Sequence, residues 1–166
     1  MWGLRRHDGH DTHHDMHLVQ ASDAALLSGL TGHQLREWCG RRALVHPDVP
    51  PAGRGRHALY SWQTILALRL LKEMHDRFGA EVGGWAEAMG RCQDLLKERS
   101  FPSLWGAAAA FLDTKKALLV ARSPELNDRP FLLLPLAPHL EVLASGLALP
   151  GPSNQLPLFP VMRVGR

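Results

Sequence analysis

Apolar and polar positions alternate with a helical period through the centre of the chain, and Ser, Thr and Gly mark where the helices begin and end. Ser22 is a candidate N-cap for a first helix that ends at Gly29. Thr31 is a candidate N-cap for a second helix that ends at Gly40. Two short helices joined by a glycine-containing turn predict a helix-turn-helix.

A stretch rich in proline and glycine follows the second helix and cannot be helical. It covers residues 46–57 and is flanked by the apolar triplets 43–45 and 58–60, a pattern typical of a two-stranded wing. Ser61 then predicts the start of a third helix over residues 62–78, which we expect to be the core helix. Its apolar face consists of Ala67, Leu70, Leu71, Met74 and Phe78.

Apolar residues repeat with heptad spacing after the third helix. They are Val82, Trp85, Met89, Cys92 and Leu96. The stripe covers only two repeats, so it predicts either a connecting or dimerisation helix or a helix that docks onto the core. Cys92 within it is predicted to be a small buried hydrophobe, and both Cys39 and Cys92 are expected to be reduced thiols.

The pattern changes to short apolar runs after Pro102. A hairpin is predicted over residues 107–120, although the alanines at 107–110 would also suit a helix, and residues 131–134 and 140–143 are further strand candidates. The predicted fold is mainly α with small β: a winged helix-turn-helix followed by a helix and a short C-terminal β-rich appendage. The predicted organisation is a mobile His-rich N-terminus over 1–20, the winged domain over 21–78, the connecting or dimerisation helix over 80–99, the β-rich region over 100–149 and a Pro-rich tail over 150–166.

Composition supports a folded protein with a locally basic surface. The 166 residues are 45% hydrophobic, and neither a membrane-spanning run nor a signal peptide is present, which predicts a cytoplasmic, nucleoid-associated protein. The net charge is +3 overall, but residues 31–77 hold eight basic and four acidic side chains. Such a local surplus is what contact with nucleic-acid phosphates requires; a solvated basic surface is the alternative.

The candidate DNA contacts lie on the second helix, the following turn and the wing. A helix N-terminus presents free N–H groups to phosphate, and the polar Thr31, His33 and Gln34 lie there. Gln34 can read adenine, and Arg36 can read guanine or bind phosphate. Residues expected to bind the backbone are Arg41, Arg42, Arg54, Arg56 and His57. Trp38 and Tyr60 are further candidates, each with packing as the alternative, and Leu35 is predicted to anchor the helix in the core.

The order of these features resembles the DNA-binding domain of the MerR family of bacterial regulators over about residues 22–98. The matching positions are Thr31, Leu35, Arg36 and Trp38 in the reading helix, then residues 43–47, 59–61 and 63–69. The resemblance implies a homodimeric transcription regulator of double-stranded DNA, with the second helix in the major groove and the wing on the backbone. Ala58 departs from the family's arginine, and Arg54 and Arg56 are candidates to take over its phosphate contact.

Two terminal segments carry further candidate chemistry. The peptide Gln155, Leu156, Pro157, Leu158, Phe159 resembles the motif by which bacterial proteins dock on the DNA sliding clamp. It supports an alternative function, a DNA-bound adaptor in replication, repair or mobile-element maintenance; packing of the tail onto its own domain is the other interpretation. Five histidines and three aspartates in residues 1–20 suit transition metals, but without fixed geometry they predict no specific site. No catalytic constellation or cofactor motif is present, so no enzyme activity is predicted.

Overall fold

The computed structural model describes residues 17–53, 56–121 and 130–152, which contain five α-helices and two small antiparallel sheets. The helices are α1 (Ala21–Ser28), α2 (Gly32–Arg36), α3 (Trp62–Phe78), α4 (Ala86–Lys97) and α5 (Ala137–Leu147). The strands are β1 (Val19–Gln20), β2 (Leu59–Tyr60), β3 (Ala108–Phe111), β4 (Ala117–Val120) and β5 (Leu132–Pro135). A π-helical turn (Glu37–Arg41) extends α2, and 3-10 turns (Val82–Trp85 and Phe101–Leu104) precede α4 and β3. The predicted mainly α fold with small β content is confirmed.

Side-chain caps begin α2 and α3 at the predicted residues. Thr31 Oγ1 accepts a hydrogen bond from the Gln34 main-chain N–H at 3.1 Å, and Ser61 Oγ accepts one from the Thr64 N–H at 3.3 Å. Gly79 ends α3 in the left-handed region at φ 62°, where a residue without a Cβ is favoured. The limits of α3 therefore follow directly from local chemistry.

The start of α1 differs from the prediction because an unpredicted strand precedes it. Val19 pairs with Tyr60 and Gln20 with Leu59 in an antiparallel ladder. Gln20 is the N-cap residue of α1 and makes no side-chain capping bond, so Ser22 lies inside the helix rather than at its cap. A strand of two residues is too short to leave an alternating pattern in the sequence.

The wing has a different base from the one predicted. A single antiparallel bridge joins Val49 to Leu59, with N–H···O=C bonds of 3.0 and 3.2 Å in the two directions. The apolar triplet at 43–45, predicted as the first wing strand, is not a strand: Leu44 and Val45 are buried in the core, and Ala43 has a positive φ of 48°. Core burial, rather than strand pairing, explains why these residues are apolar.

Helix α3 is the centre of the core, and α4 docks onto it. Most side chains of α3 from Trp62 to Leu71 are buried, whereas Phe78, predicted on the core face, is 55% exposed because it lies in the last turn beyond the neighbouring elements. In the heptad stripe, Trp85 is half-buried, and the other four side chains are buried against α3 and the C-terminal sheet. Helix α4 therefore docks onto the core through its heptad stripe, and the stripe is not an exposed surface. Dimer formation stays a prediction.

The C-terminal region is a three-stranded antiparallel sheet followed by a helix. The predicted hairpin is β3–β4, with Ala110 opposite Leu118, and Asp113 Oδ1 accepts the N–H groups of Lys115 and Lys116 in its turn. Strand β5 pairs with the other edge of β3, in the order β4-β3-β5.

Residues 140–143, predicted as a strand, are helical and belong to α5. Pro138 lies in the first turn of this helix, where it costs no hydrogen bond. Leu140, Leu143 and Leu147 follow a helical spacing and are buried within the core. These leucines therefore form a helical face that packs against the core, as α3 and α1 contact α5.

Candidate nucleic-acid interface

The N-terminus of α2 is closed by a reciprocal capping box. Besides the bond from the Gln34 N–H to Thr31 Oγ1, the Thr31 N–H donates to Gln34 Oε1 at 2.9 Å. Reading adenine requires Gln34 to use both carboxamide atoms at once. In this conformation its oxygen already accepts a bond within the helix, so Thr31 and Gln34 primarily build the helix end.

One side of α2 and its π-helical extension is anchored in the core, and the other faces solvent. Leu35 and Trp38 are buried, whereas His33, Arg36 and Arg41 are exposed. These three exposed side chains and Glu37 line a shallow cleft of about 270 Å³. The interface therefore has a fixed apolar back and a basic front.

The π-helical turn carries the helix past its predicted end at Gly40. The Arg42 N–H donates to the Glu37 carbonyl at 2.9 Å, five residues back, and the Leu44 N–H donates to the Trp38 carbonyl at 2.8 Å. This wider turn keeps Arg41 exposed beside Arg36 while Leu44 turns into the core. No sequence pattern predicts this π-helical turn. Gly40 suggested a helix end, but a glycine can also lie inside a helix at a modest cost in free energy.

Arg42 makes an ion pair inside the protein. Its Nη2 lies 2.5 Å from Glu81 Oε1, and the same carboxylate accepts the N–H groups of Gly83 and Gly84 at 3.1 and 3.0 Å. The bond from the Gly83 N–H, followed by the Arg42 guanidinium and then the Gly84 N–H, holds the pKa of Glu81 below its ordinary value. Arg42 thus links the end of the π-helical turn (Glu37–Arg41) to the 3-10 turn before α4, and its charge is partly neutralised there.

The described part of the wing presents two of the predicted contacts. Arg56 and His57 are exposed, and Ala58, at the departure from the family pattern, is half-buried beside them. Arg54 lies outside the described residues. The structure therefore places Arg56 and His57 on the surface, and their contact with phosphate stays a prediction.

Trp38 and Tyr60 pack in the core, which was the alternative left open for both. Trp38 is 5% exposed and meets the His75 ring edge-to-face at 6.1 Å between centroids. Tyr60 is 4% exposed and lies on β2; burial, followed by the neighbouring Cys39, raises its pKa to about 12. With so little exposed surface, these rings cannot reach a duplex without local unfolding, so we retain only their packing role.

Neither cysteine has the character of a reactive or metal-binding thiolate. Burial raises the pKa of Cys39 and of Cys92 to about 12. Within residues 17–53, 56–121 and 130–152, no three His, Cys, Asp or Glu side chains come together as a metal site. The N-terminal histidine tract lies outside these ranges apart from His17, which is exposed, and so does the peptide at 155–159.

Three further residues support the site and were missed in the sequence. Asp48, Thr64 and Gln93 form a buried hydrogen-bond network behind the wing. Gln93 could have been noticed, because it is polar yet lies beside Cys92, within the buried stripe of α4. Asp48 and Thr64 carried no comparable signal, since the residues that they bond within this network lie more than ten positions away along the chain.

Comparison with known proteins matches a segment of less than half of the chain to one family. Residues 19–90 match the family model described as MerR HTH family regulatory protein. Comparison with curated proteins gave no match. The matched range contains α2, the wing, α3 and the first turn of α4, so the resemblance seen in the sequence is confirmed for this segment. No helix in the described part of the chain is long and apolar enough to cross a membrane.

Proposed function

We propose that the chain, whose residues 19–90 form a MerR-type helix-turn-helix domain, is a DNA-binding transcription regulator that inserts α2 into the major groove. One observation carries this proposal: the front of α2 and its π-helical extension is basic and exposed, while Leu35 and Trp38 lock its back into the core. A rigidly held helix with free basic side chains can contact base edges without first being ordered. The proposal assigns no reaction and no cofactor to the protein.

Each exposed side chain has a role that follows from its chemistry. Arg36, in the middle of the front, suits a bidentate contact with guanine, and His33 suits a base edge or a phosphate. Arg41, Arg56 and His57 are assigned to backbone phosphates, as is Arg54 from its place in the sequence. Arg42 is assigned mainly to holding the turn through Glu81.

A homodimer is the form in which this module is expected to act in the cytoplasm. A single helix-turn-helix covers a modest stretch of DNA, and two-fold pairing doubles the contact on a pseudo-palindromic site. Size-exclusion chromatography with light scattering, with and without DNA, measures this directly. A strictly monomeric protein on DNA would contradict the dimer and leave the DNA-binding proposal intact.

Binding to a random pool of short duplexes tests the function. We expect binding at low salt whose log affinity falls steeply with log salt, and a weaker complex for Arg36→Ala. Arg41→Ala should reduce the magnitude of the salt slope by about 1, because one phosphate contact is lost. Arg91→Ala, which removes the same charge from an exposed position on α4, is the matched control. No binding by the unaltered protein even at low salt would overturn the proposal.

The second proposal is that the chain recruits the DNA sliding clamp while bound to DNA, and it is supported only by the peptide at 155–159. Leu158 and Phe159 would fill an apolar pocket, and Gln155 would bond at its rim. Immobilised full-length protein should retain the clamp, and Phe159→Ala should lose it, whereas Met162→Ala outside the motif should not. Equal retention by both variants, or none by the unaltered chain, would remove the adaptor function.

A further inference from the structure

A buried carboxamide on α4 binds the main chain at the base of the wing. Gln93 is 3% exposed. Its Oε1 accepts the His46 N–H at 3.2 Å, and its Nε2 donates to the His46 carbonyl at 2.7 Å. A side-chain amide thereby occupies both polar groups of one backbone residue, as a partner strand would. Nε2 also donates to Thr64 Oγ1 at 2.9 Å, which ties the pair to α3.

The same threonine joins a second wing residue to the network. Thr64 Oγ1 donates to Asp48 Oδ2 at 2.7 Å, and this carboxylate oxygen also accepts the Ser61 N–H at 2.7 Å. Lys97 Nζ, at the end of α4, lies 3.7 Å from Asp48 Oδ1. Two positions at the wing base are therefore bonded to two helices, and apart from Lys97 the side chains that do so are almost wholly shielded from water.

Apart from the Gln93 network, the described residues of the wing are ordered only from its base. There Val49 pairs with Leu59, the Leu59 carbonyl also accepts the Asp48 N–H at 3.0 Å, and Leu59 pairs with Gln20 of β1. Residues 50–53, 56 and 57 are exposed. Apolar packing therefore orders this segment only at its base. Buried polar groups that are fully bonded specify one geometry, because any other arrangement leaves a donor or acceptor without a partner.

We propose that Gln93 is a positioning residue for DNA binding, which acts through the main chain of His46 to hold the wing in its DNA-contacting direction. This inference rests on the proposed function, because it concerns the placement of Arg56 and His57 on phosphates. Gln93 itself touches no DNA: it lies behind the wing, in the interior.

Gln93→Met tests the proposal, because methionine has a similar length and is apolar but replaces none of the three hydrogen bonds that Gln93 makes. We expect a folded protein whose DNA affinity falls roughly tenfold and whose salt slope falls in magnitude by about 1 to 2, since the wing phosphates are lost. Met89→Leu, a buried and nearly isosteric change on the same helix, is the control for a general loss of stability. It should leave the affinity and the salt slope unchanged.

A double-mutant cycle separates wing positioning from a general effect. In an Arg56→Ala, His57→Ala background the loss caused by Gln93→Met should become clearly smaller, because two of the contacts it positions are already gone. The same factor lost in both backgrounds, or unaltered affinity of Gln93→Met, would overturn the proposal. Thr64→Val, which removes only the shared hydroxyl, supplies the same comparison if Gln93→Met does not fold.

Amide hydrogen exchange in the free protein gives a readout that needs no DNA. Exchange at His46 and Leu59 should speed up in Gln93→Met and not in Met89→Leu. If the unaltered protein binds no DNA, the proposed function fails, and with it the role of Gln93 in binding. Unchanged exchange at His46 with normal DNA binding by the unaltered protein would instead refute the positioning role alone.

Discussion

At the scale of single residues, local bonds within the protein and contacts with DNA compete for the same side chains. Gln34 Oε1 is engaged by the Thr31 N–H, and Arg42 is engaged by Glu81. Charge-assisted and capping bonds of this kind persist unless a ligand replaces them with something better. Within the part of the chain that the structure describes, Arg36 and Arg41 have no such partner, so they are the strongest candidates for direct contact.

Removing the cap of α2 should destabilise the protein as well as its DNA complex. Thr31→Ala deletes the oxygen that accepts the Gln34 N–H, which typically costs about 1 kcal/mol of the free energy of unfolding. Ser22→Ala is the matched control, since Ser22 lies within α1 and is not its cap, so a change within about 0.5 kcal/mol is expected. Urea denaturation of both variants measures the difference. Equal losses would show that the capping box is not formed in solution.

His139 should make stability depend on pH. Its Nε2 lies 2.7 Å from Glu73 Oε2, yet burial, with Arg69 and Arg77 nearby, lowers its pKa below the ordinary value and outweighs Glu73. The unfolded chain then takes up the proton first as pH falls, so the free energy of unfolding decreases below about pH 6.5. Urea midpoints at about pH 7.5 and 5.5 should differ more for the unaltered protein than for His139→Gln. A parallel decline of the two would rule out His139 as the source.

At the scale of elements, the helices with strong end signals could be predicted and the short strands could not. Thr31, Ser61 and Gly79 act within their own helix ends, so their chemistry is local. Val19–Gln20 is a strand only because Leu59–Tyr60 lies beside it. The run at 140–143 has no period that separates strand from helix, and its burial against α3 decides the matter.

The candidate site also has features that the sequence predicts and features that it does not. The exposed basic side of α2 could be predicted from the sequence, because an exposed Arg or His does not depend on a partner elsewhere in the chain. The burial of Trp38 and Tyr60 depends on what packs around them, and Arg42 meets Glu81 from 39 positions away. Pairings at that separation follow from the folded topology, not from any local pattern.

Two helical glycines should respond in opposite ways to alanine. A Cβ at Gly146 of α5 would lie 2.2 Å from Leu27 Cδ2 of α1, whereas a Cβ at Gly90 of α4 meets nothing within 4 Å. Gly146→Ala must displace the Leu27 side chain from its place against α5 and should cost about 1–3 kcal/mol of the free energy of unfolding. Gly90→Ala should add about 0.5–1 kcal/mol, because alanine favours the helix. Stabilisation by both changes, measured in urea, would contradict the close contact of α5 with α1.

At the scale of the whole molecule, the core runs without a break from the DNA-binding segment into the C-terminal region. Trp62 at the start of α3 meets Phe101 edge-to-face at 5.1 Å, and Trp85 meets Phe111 of β3 at 6.0 Å. The Ala88 N–H of α4 donates to the carbonyl of Thr114 in the hairpin turn at 3.1 Å. The region after residue 100 therefore packs against the segment that the family model matches and shares its core.

Removing everything after Arg99 should consequently unfold or loosen the DNA-binding segment. The truncation removes the sheet that packs on α4 and the helix α5 that packs on α3. Cys92 is fully buried in the whole chain, and that burial raises its pKa to about 12. After truncation this thiol should gain access to water. In a Cys39→Ala background, a thiol reagent should label Cys92 slowly in the full chain and at least about tenfold faster after truncation, since labelling of a buried thiol needs an opening event. A lower urea midpoint should accompany the faster labelling, because the apolar faces of α3 and α4 lose their cover.

Slow labelling and an unchanged midpoint would mean that residues up to 99 fold alone, with the C-terminal region as a separable appendage. Because α4 carries both the cover of the core and the Gln93 bond to the wing, any loosening of this region should also reach the DNA-contacting loop.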